Sequence, residues 1–541
     1  MTIWQDIWPP RRLEAHYGDR VVACFADRPR SVHHMLLEAV ARNPDGDALV
    51  CGDARLTYRE LLAQSGRLAA GLAARGVQQG DRVALLLGNR IEFVVTLFAA
   101  VRLGAIAVPI SIREQTPGLA YMLSHCAAVV VVHEADLDDV LPDAAQVPAL
   151  RTRVAVGGDC AGSLPLAALM ADGPAPDAAA VQEEDTTAIL YTSGTTGRPK
   201  GAMLTHLGVV HSSMHYQIAM GLGAADSSIA AVPLSHVTGL VALITTMVRC
   251  AGKLVIMPAF KAADFLRLAA RERMTHTLMV PAMYNLCLLQ SDFDQHDISC
   301  WRIGAYGGAP MPVASIATLA AKVPSLTLMN CYGSTETTSP STLMPPGQTA
   351  AHNDTVGAPL ICVEMCVMDA RGCELPPDTL GEIWIKGPMV VRGYWDNPQA
   401  TADNFTGGYW RSGDIGSIDQ QGYVKVVDRM KDMINRGGYK IYTIEVENVL
   451  YAHPAVQECA VVSKPCPVLG ERVHAFVMLK RAGTAEQELS EFCKARLSDY
   501  KVPESFTVSL TPLPRNANGK LVKRDLRERL LATLTPTPGV R

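Results

Sequence analysis

Apolar and polar positions follow two different patterns along the chain. Up to about residue 360, short apolar runs such as 82–87 alternate with segments such as 90–103, whose apolar residues recur every three or four positions. Such alternation is typical of parallel strands covered by helices on both faces. Strands then predominate to about residue 430, where shorter helix and strand segments begin again. The pattern predicts an α/β fold with mixed parallel sheets sandwiched by helices, a β-rich subdomain and a small mobile α+β C-terminal domain.

Three segments carry more local signals. Thr57 and Glu60 form a predicted capping box in front of an apolar-striped helix, because a hydroxyl and a carboxylate at this spacing satisfy free backbone amides. The segment 164–184 is rich in Ala, Pro and Asp, and we interpret it as a surface connection. The apolar run 237–248 is shorter than the roughly 20 residues needed to span a bilayer, so we predict a buried strand or helix and no membrane span.

Length and composition restrict the classes of protein to be considered. A chain of 541 residues favours at least two domains, which we place at 1–430 and 431–541. With 48% apolar residues and a formal net charge of −4, the chain is typical of a soluble globular protein that binds no nucleic acid. The polar N-terminal segment does not resemble a secretory signal, and the 14 cysteines include no C-x-x-C pair. We therefore expect reduced thiols and a cytoplasmic location; a homodimer is compatible with the sequence.

The strongest chemical signal is a loop rich in glycine and hydroxyl groups that follows the predicted strand 187–190. Glycines and hydroxyls after a strand direct many donors toward phosphate oxygens, and Lys200 adds a cation. The loop is not a Walker A motif, since Pro199 stands where that motif requires its second glycine. The predicted phosphate-binding residues are Thr192, Ser193, Gly194, Thr195, Thr196, Gly197 and Lys200.

This loop resembles the signature of the adenylate-forming superfamily, which comprises acyl-CoA synthetases, peptide-synthetase adenylation domains and beetle luciferases. Further segments resemble the superfamily in the expected order, over nearly the whole chain: 306–310, 332–337, 409–414, 428–434 and 514–520. The resemblance implies an AMP-forming carboxylic acid:CoA ligase that uses ATP, Mg²⁺ and coenzyme A.

The resemblance also implies a role for each matched residue. Gly308, Ala309 and Pro310 would lie along the adenine, and Tyr332 would pack on it. Thr335 would contact the α-phosphate, Glu336 would hold Mg²⁺, and Asp414 and Arg429 would contact the ribose. A metal between a carboxylate and the triphosphate neutralises charge as pyrophosphate leaves. The implied catalytic residues are Lys520, Glu336, Lys200 and His236.

Two half-reactions are implied at one site. Lys520 would bridge the carboxylate and the α-phosphate while acyl-AMP forms. The small domain would then rotate about a hinge at Lys431, so that Gly438 lines a tunnel for the CoA thiol and Lys440 contributes to cofactor binding. A competing interpretation is that Gly437 and Gly438 only form a tight turn with positive φ. No cysteine is needed as a nucleophile.

The implied acid pocket is largely apolar. The residues predicted to line it are His236, Val237, Thr238, Val241, Tyr284, Tyr306, Gly307, Gly333 and Ser339. His236 could equally be a core histidine. Acetyl-CoA synthetases carry Trp at the place of Gly333, which predicts a deeper pocket here. No cation is available for a second carboxylate, and an unpaired buried charge is costly, so a medium or longer fatty acid or an aryl or alicyclic acid is favoured.

Three alternatives were weighed against a CoA ligase. A stand-alone adenylation enzyme that loads the phosphopantetheine of a carrier protein would have nearly the same motifs. A luciferase-like oxygenase is disfavoured because its thiolation-state lysine is matched here by Asn435. A catalytically inactive binding protein is disfavoured because every expected polar residue is present. The expected partners are small molecules: the acid, ATP and CoA.

Overall fold

The fold is that of a computed structural model, which describes residues 4, 8–170, 174–192, 198–309, 311–515 and 521–534. Contacts divide the chain into two compact units. The first comprises residues up to 365 together with 384–411 and 419–424, and the second comprises 366–383, 412–418 and everything from 425 onward. The predicted domain boundary at residue 430 and the hinge at Lys431 stay predictions.

An antiparallel hairpin precedes the large sheets of the first unit. It consists of β1 (Arg11–His16) and β2 (Arg20–Phe25). A second hairpin, β3 (Asp47–Cys51) and β4 (Ala54–Thr57), forms one edge of the nine-stranded sheet described below.

A seven-stranded sheet follows in the chain. Its strands are β5 (Arg82–Leu86), β6 (Ile106–Pro109), β7 (Val130–Glu134), β8 (Thr152–Val156), β9 (Leu164–Pro165), β10 (Thr186–Thr192) and β11 (Lys200–Thr205). Their spatial order is β11-β10-β6-β5-β7-β8-β9, parallel except for the β10–β11 hairpin. The interpretation of 164–184 as a surface connection is therefore wrong in part, because Leu164 pairs with Val154 and extends the sheet.

The nine-stranded sheet adds seven strands to β3 and β4. They are β12 (Ser227–Ala230), β13 (Lys253–Ile256), β14 (His276–Met279), β15 (Ile303–Gly307), β16 (Thr327–Tyr332), β17 (Thr342–Leu343) and β18 (Ala358–Pro359). The order is β18-β17-β16-β15-β14-β12-β13-β3-β4, with a parallel centre and antiparallel edges. The carboxyl ends of β14, β15 and β16 therefore meet at one edge, where ligands bind in open α/β sheets.

The remaining strands form two smaller sheets. One contains β19 (Glu364–Met368), β20 (Gly381–Lys386), β21 (Phe405–Thr406), β22 (Tyr409–Ile418) and β23 (Val424–Arg429). The other contains β24 (Ile434–Arg436), β25 (Tyr439–Ile441), β26 (Val456–Cys466), β27 (Gly470–Leu479) and β28 (Ser505–Ser509). The β-rich region and the α+β C-terminal region predicted from the sequence are confirmed.

Helices connect the strands. In chain order they are α1 (Val32–Arg42), α2 (Tyr58–Ala74), α3 (Ile91–Arg102), α4 (Thr116–His125), α5 (Leu166–Leu169), α6 (His206–Ala219), α7 (Thr246–Cys250), α8 (Ala262–Arg271), α9 (Pro281–Leu288), α10 (Val313–Lys322), α11 (Pro398–Asn404), α12 (Thr443–Tyr451), α13 (Glu486–Lys494) and α14 (Lys523–Leu534). The predicted capping box at the start of α2 is confirmed, with Thr57 Oγ1 accepting from the Glu60 amide and Glu60 from the Thr57 amide. Within the described ranges, no helix has the length and apolar character needed to cross a bilayer.

Buried apolar side chains form a separate core in each layer. The largest cluster contains Phe93, Phe98 and Val241, and a second cluster contains Phe265 and Trp301. A third cluster, built on residues such as Ile434, Val461 and Leu489, lies within the C-terminal unit. Each unit therefore has a core of its own.

Candidate active site

The β10–β11 hairpin holds the two described ends of the predicted phosphate loop. Thr192 is the last residue of β10, Lys200 is the first of β11, and the two pair directly across the hairpin. The hydroxyl oxygen of Thr192 lies 3.4 Å from the carbonyl oxygen of Lys200, one of two acceptors within reach of its single proton. The predicted loop residues Ser193, Gly194, Thr195, Thr196 and Gly197 lie outside the described residues.

Glu336 is a buried carboxylate surrounded by hydroxyl groups. It lies in the 3₁₀ turn Thr335–Thr337, after β16, and is 7% exposed. Its Oε1 accepts from the hydroxyl of Tyr394 at 3.0 Å and from that of Thr192 at 3.4 Å. Its Oε2 accepts from the hydroxyl of Ser334 at 2.5 Å. Glu336 and Thr192, predicted from separate motifs, are thus brought together.

Within the described ranges, no basic side chain balances the charge of Glu336. Among the described residues, no ion pair involves Glu336, and the groups that donate to its carboxylate are the hydroxyls of Thr192, Ser334 and Tyr394. A buried charge without an opposite charge is costly unless a cation binds beside it. Carboxylate and hydroxyl oxygens are the hard ligands that Mg²⁺ prefers. This donor set therefore fits the magnesium ion predicted at Glu336.

Tyr394 is a site residue that the sequence analysis missed. It is 4% exposed, and its ring centroid lies 4.9 Å from Lys200 Nζ, a cation–π distance. Burial, together with the charge of Glu336, raises the pKa of Tyr394 far above its usual range. The phenol therefore stays protonated and donates to the Glu336 carboxylate.

The segment predicted to lie along the adenine starts at the carboxyl end of β15. Gly307 pairs with Cys331 of β16, and a Cβ at Gly307 would lie 2.5 Å from the Cys331 carbonyl oxygen, so only glycine fits there. Gly308 has a φ of +78° and turns the chain away from the sheet, and Ala309 follows it. Tyr332 ends the neighbouring strand β16 and is half-buried. Pro310 lies outside the described residues.

Several predicted pocket residues belong to the protein core. Val237 and Val241 are buried in the largest cluster. Tyr306 and Tyr284 are buried in the second cluster; Tyr284 stacks on Trp301, with ring centroids 5.8 Å apart, and its hydroxyl donates to the Ala305 carbonyl at 2.8 Å. The Tyr284 hydroxyl is thus already used within the core.

His236 and Thr238 lie at the start of the helix after β12. That helix, Thr238–Thr245, is a π-helix, so the buried segment predicted at 237–248 is helical. Short π-helical segments occur often at functional sites. His236 is half-buried, and its Nδ1 accepts from the Thr238 amide at 3.3 Å. In the neutral ring the proton therefore lies on Nε2.

Gly333 and Ser339 lie on the loop after β16. The hydroxyl of Ser339 is hydrogen-bonded to that of Tyr216 on α6 at 2.7 Å. A Cβ at Gly333 would lie 3.1 Å from the Cα of Pro340 and 3.2 Å from the amide nitrogen of Ser341. A Cβ at Gly333 would therefore fit only if this backbone shifted by a few tenths of an ångström, so the space beside Gly333 is tighter than the open space predicted from the sequence.

Two predicted ribose-binding residues pair within the second unit. Asp414 on β22 is 3% exposed, and Arg429 at the end of β23 contacts it, with Nε 2.6 Å from Oδ1. The preceding Asp428 accepts from the Arg429 amide at 2.7 Å and from the Thr443 hydroxyl at 2.8 Å, and burial raises its pKa. The end of β23 is thus fixed by several hydrogen bonds.

The predicted CoA-binding glycines form the turn of the β24–β25 hairpin. Arg436 pairs with Tyr439, so Gly437 and Gly438 are the two turn residues, with φ of +59° and +95°. Such two-residue turns need positive φ and favour glycine, which supports the competing turn interpretation for this pair. Gly438, Lys440 and Lys431 are exposed. Lys520 lies outside the described residues.

One further group could supply metal ligands. Glu14, His16 and Cys24 approach one another on the β1–β2 hairpin. Both carboxylate oxygens of Glu14, however, accept from the Arg28 guanidinium, at 3.0 and 2.7 Å, and this bonding lowers the pKa of Glu14 well below its usual range. Because the guanidinium already balances the carboxylate, we assign no metal to this group.

Comparison with known proteins agrees with this geometry. The chain belongs to the AMP-binding enzyme family, whose profile matches residues 36–395, and the AMP-binding enzyme C-terminal domain matches residues 445–520. Long-chain-fatty-acid–CoA ligase FadD13 of Mycobacterium tuberculosis is 34% identical over 489 residues, which are 89% of this chain and 94% of that protein. Feruloyl-CoA synthase of an Amycolatopsis species is 34% identical over 491 residues, 90% of this chain and 96% of that protein.

A solved structure extends the comparison to the nucleotide. O-succinylbenzoate coenzyme A synthetase (MenE) of Bacillus subtilis, in complex with ATP and a magnesium ion, is 30% identical with a TM-score of 0.81. The alignment covers 92% of this chain and 99% of that one. The chain is thus an AMP-forming acid–thiol ligase with the adenylate-forming fold, as the sequence predicted.

Proposed function

We propose that this enzyme joins a mainly apolar carboxylic acid to CoA in two steps. The acid attacks the α-phosphorus of ATP to give acyl-AMP and pyrophosphate, and the CoA thiol then displaces AMP to give the thioester. The observation that carries the proposal is the buried Glu336 carboxylate, to which, in the part of the chain that the structure describes, hydroxyl groups alone donate, near Thr192 and Lys200. A cation and a polyanion are the ligands that complete such a site.

The first step needs positioning and charge neutralisation, because two anions must meet. Thr192 and Lys200, which pair across the β10–β11 hairpin, are proposed to donate to the phosphates, and Glu336 would hold the magnesium ion. When bound, that ion neutralises charge on the departing pyrophosphate. Lys520 is proposed to hold the incoming carboxylate against the α-phosphate, and Asp414 and Arg429 to contact the ribose.

The acid is proposed to be a medium or longer fatty acid or an aryl or alicyclic acid. The predicted pocket residues include no lysine or arginine that could pair with a second carboxylate, and Val237 and Val241 are apolar, although both are buried in the core. The two relatives named above are a long-chain-fatty-acid ligase and a feruloyl-CoA synthase, one of each class. His236, with its proton on Nε2, is proposed to contact the acyl group.

The remaining partners follow from the reaction. We propose CoA rather than a carrier protein as the acceptor because the relatives are named CoA ligases. The cytoplasmic location and the homodimer remain sequence-based predictions. No partner beyond the acid, ATP and CoA is proposed.

Pyrophosphate release on a panel of acids tests the proposal. Acetate, hexanoate, decanoate, palmitate, benzoate, ferulate and malonate are each supplied with ATP, Mg²⁺ and CoA, in the absence of any carrier protein. We expect acids of about six or more carbons, or aryl acids, to give thioester and pyrophosphate in equal amounts, because an apolar wall binds apolar surface. Pyrophosphate release without thioester would favour a carrier protein, and a preference for acetate would contradict the substrate class.

Substitution of Gly333 tests the depth of the pocket. Gly333→Trp is expected to lower kcat/KM for large acids and to raise the relative activity with acetate or propionate, because the indole would add volume behind the carboxylate once the Pro340 and Ser341 backbone shifts slightly to admit its Cβ. Gly333→Ala is the matched control, since its Cβ meets the same Pro340 and Ser341 backbone without that volume. Equal changes in specificity in both variants would show that displaced backbone, rather than a filled pocket, is responsible.

Substitution of Gly438 tests whether this glycine lines a tunnel for CoA or only forms a tight turn. Any side chain at its φ of +95° is strained by roughly 1–2 kcal/mol, so Gly438→Leu should lose some stability in either case. Gly483, with a φ of +125° and open space around it, is the matched position. We expect Gly438→Leu, and not Gly483→Leu, to lose acyl transfer to CoA while ATP–pyrophosphate exchange continues. If both variants transferred the acyl group to CoA equally well, the tunnel interpretation would be wrong and Gly438 would serve only the tight turn.

A further inference from the structure

We propose that Tyr394 is a positioning residue that keeps the Glu336 carboxylate and the Lys200 ammonium apart and correctly placed for the metal and the phosphates. The inference rests on the proposed function, because it assigns the metal to Glu336 and the phosphates to Lys200. It adds a residue that neither the sequence motifs nor the comparisons above assign to the site.

A single side chain contacts both charged groups. The Tyr394 hydroxyl donates to Glu336 Oε1 at 3.0 Å, and the Tyr394 ring centroid lies 4.9 Å from Lys200 Nζ. Tyr394 is 4% exposed, so water does not replace either contact. The hydroxyl of Tyr394 thus contacts the negative carboxylate, and its ring face contacts the positive ammonium.

The backbone around Tyr394 is anchored to both functional elements. On one side, the Trp395 amide donates to the Gly201 carbonyl at 2.7 Å, next to Lys200 on β11. On the other side, the Val391 amide donates to the Glu336 carbonyl at 2.9 Å. The segment 391–395 therefore links the start of β11 to the turn that carries Glu336, and Tyr394 lies between these two attachments.

This arrangement prevents a direct ion pair that would disable the site. A lysine and a glutamate in a poorly hydrated cleft attract each other strongly, and a direct pair would use the charge that each needs for its ligand. Among the described residues, neither Lys200 nor Glu336 takes part in an ion pair. Tyr394 satisfies the carboxylate with a neutral donor and the ammonium with a ring face, which leaves both charges available for ligands.

The Tyr394 hydroxyl can be removed alone or together with the ring. Tyr394→Phe keeps the ring that faces Lys200 and removes the donor to Glu336; Tyr394→Leu removes both. We expect Tyr394→Phe to weaken Mn²⁺ binding, measured by electron paramagnetic resonance with ATP and no acid, by about tenfold, the size of a lost hydrogen bond to a charged group. Tyr394→Leu should in addition raise KM for ATP, because Lys200 is then free to pair with Glu336.

The matched control is Tyr58→Phe. Tyr58 is fully buried, and its hydroxyl oxygen lies 3.0 and 2.6 Å from the carbonyl oxygens of Met247 and Gly252, outside the site, so its single proton always has an acceptor. This variant should lower Tm without changing Mn²⁺ affinity. Wild-type Mn²⁺ affinity in Tyr394→Phe would overturn the inference, as would a failure of Tyr394→Phe to fold, since the hydroxyl would then serve the fold. Absence of pyrophosphate exchange in the wild-type enzyme with every acid would instead refute the proposed function.

Discussion

Lys520→Ala is expected to reduce the rate of acyl-AMP formation on the order of a thousandfold while thioester formation from supplied acyl-AMP stays near the wild-type rate. The reason is electrostatic: the ammonium would neutralise the carboxylate and the α-phosphate only while they approach each other. In the second step the mixed anhydride bond between the acyl group and the α-phosphate already exists, so this charge is no longer needed. ATP–pyrophosphate exchange measures the first step, and release of AMP from acyl-AMP and CoA measures the second.

The control for Lys520→Ala is Lys494→Ala. Lys494 is an exposed lysine in the last turn of α13, in the second unit of the chain. Its substitution by alanine removes the same charge from the protein as Lys520→Ala. It should leave both half-reactions unchanged. If Lys520→Ala slowed both steps equally, the proposed withdrawal of Lys520 before thiolation, and with it the hinge at Lys431, would be wrong.

Signals that depend on neighbours in the sequence were predicted well. The capping box of Thr57 and Glu60 forms as expected, because both partners lie within one helical turn. The alternation of strands and helices predicted parallel sheets, since both faces of such sheets must be apolar. The motif residues Thr192, Lys200 and Glu336 come together at the ends of their strands, as a ligand site at the carboxyl edge of a sheet requires.

Contacts between distant segments that no motif marks could not be predicted. Tyr394 lies 58 residues from Glu336 and reads in the sequence only as an aromatic residue after a glycine. The glycine at position 333 tells from the sequence that a side chain is missing there. The sequence does not tell that the backbone of Pro340 and Ser341 lies close to the position of that side chain. The two short residues of β9 carry too little apolar pattern to be recognised as an edge strand.

Glu336→Gln is expected to slow Mg²⁺-dependent pyrophosphate release by about a hundredfold to a thousandfold, while a preformed acyl-AMP still binds nearly as in the wild type. Gln keeps the shape, its oxygen can still accept from the Tyr394 and Thr192 hydroxyls, and its NH₂ group can donate to the Ser334 hydroxyl oxygen, which reverses that bond. The change therefore mainly removes the charge. A neutral amide is a much weaker ligand for a hard divalent cation than a carboxylate. A titration of Mg²⁺ in the exchange assay, with ATP held constant, should show a large rise in the half-saturating concentration.

Thermal stability separates this interpretation from a structural role. Without metal, Glu336→Gln should keep or raise Tm, because it removes a buried charge that no basic side chain among the described residues balances. Glu272→Gln is the matched control: Glu272 is 3% exposed and pairs with Arg55 at 2.8 Å and Lys253 at 3.1 Å. Loss of the Glu272 carboxylate should lower Tm, because it breaks the ion pairs with Arg55 and Lys253, and it should not alter the Mg²⁺ requirement. A Glu336→Gln enzyme that lost Tm and kept normal turnover at low Mg²⁺ would show that this carboxylate stabilises the fold and does not bind the metal.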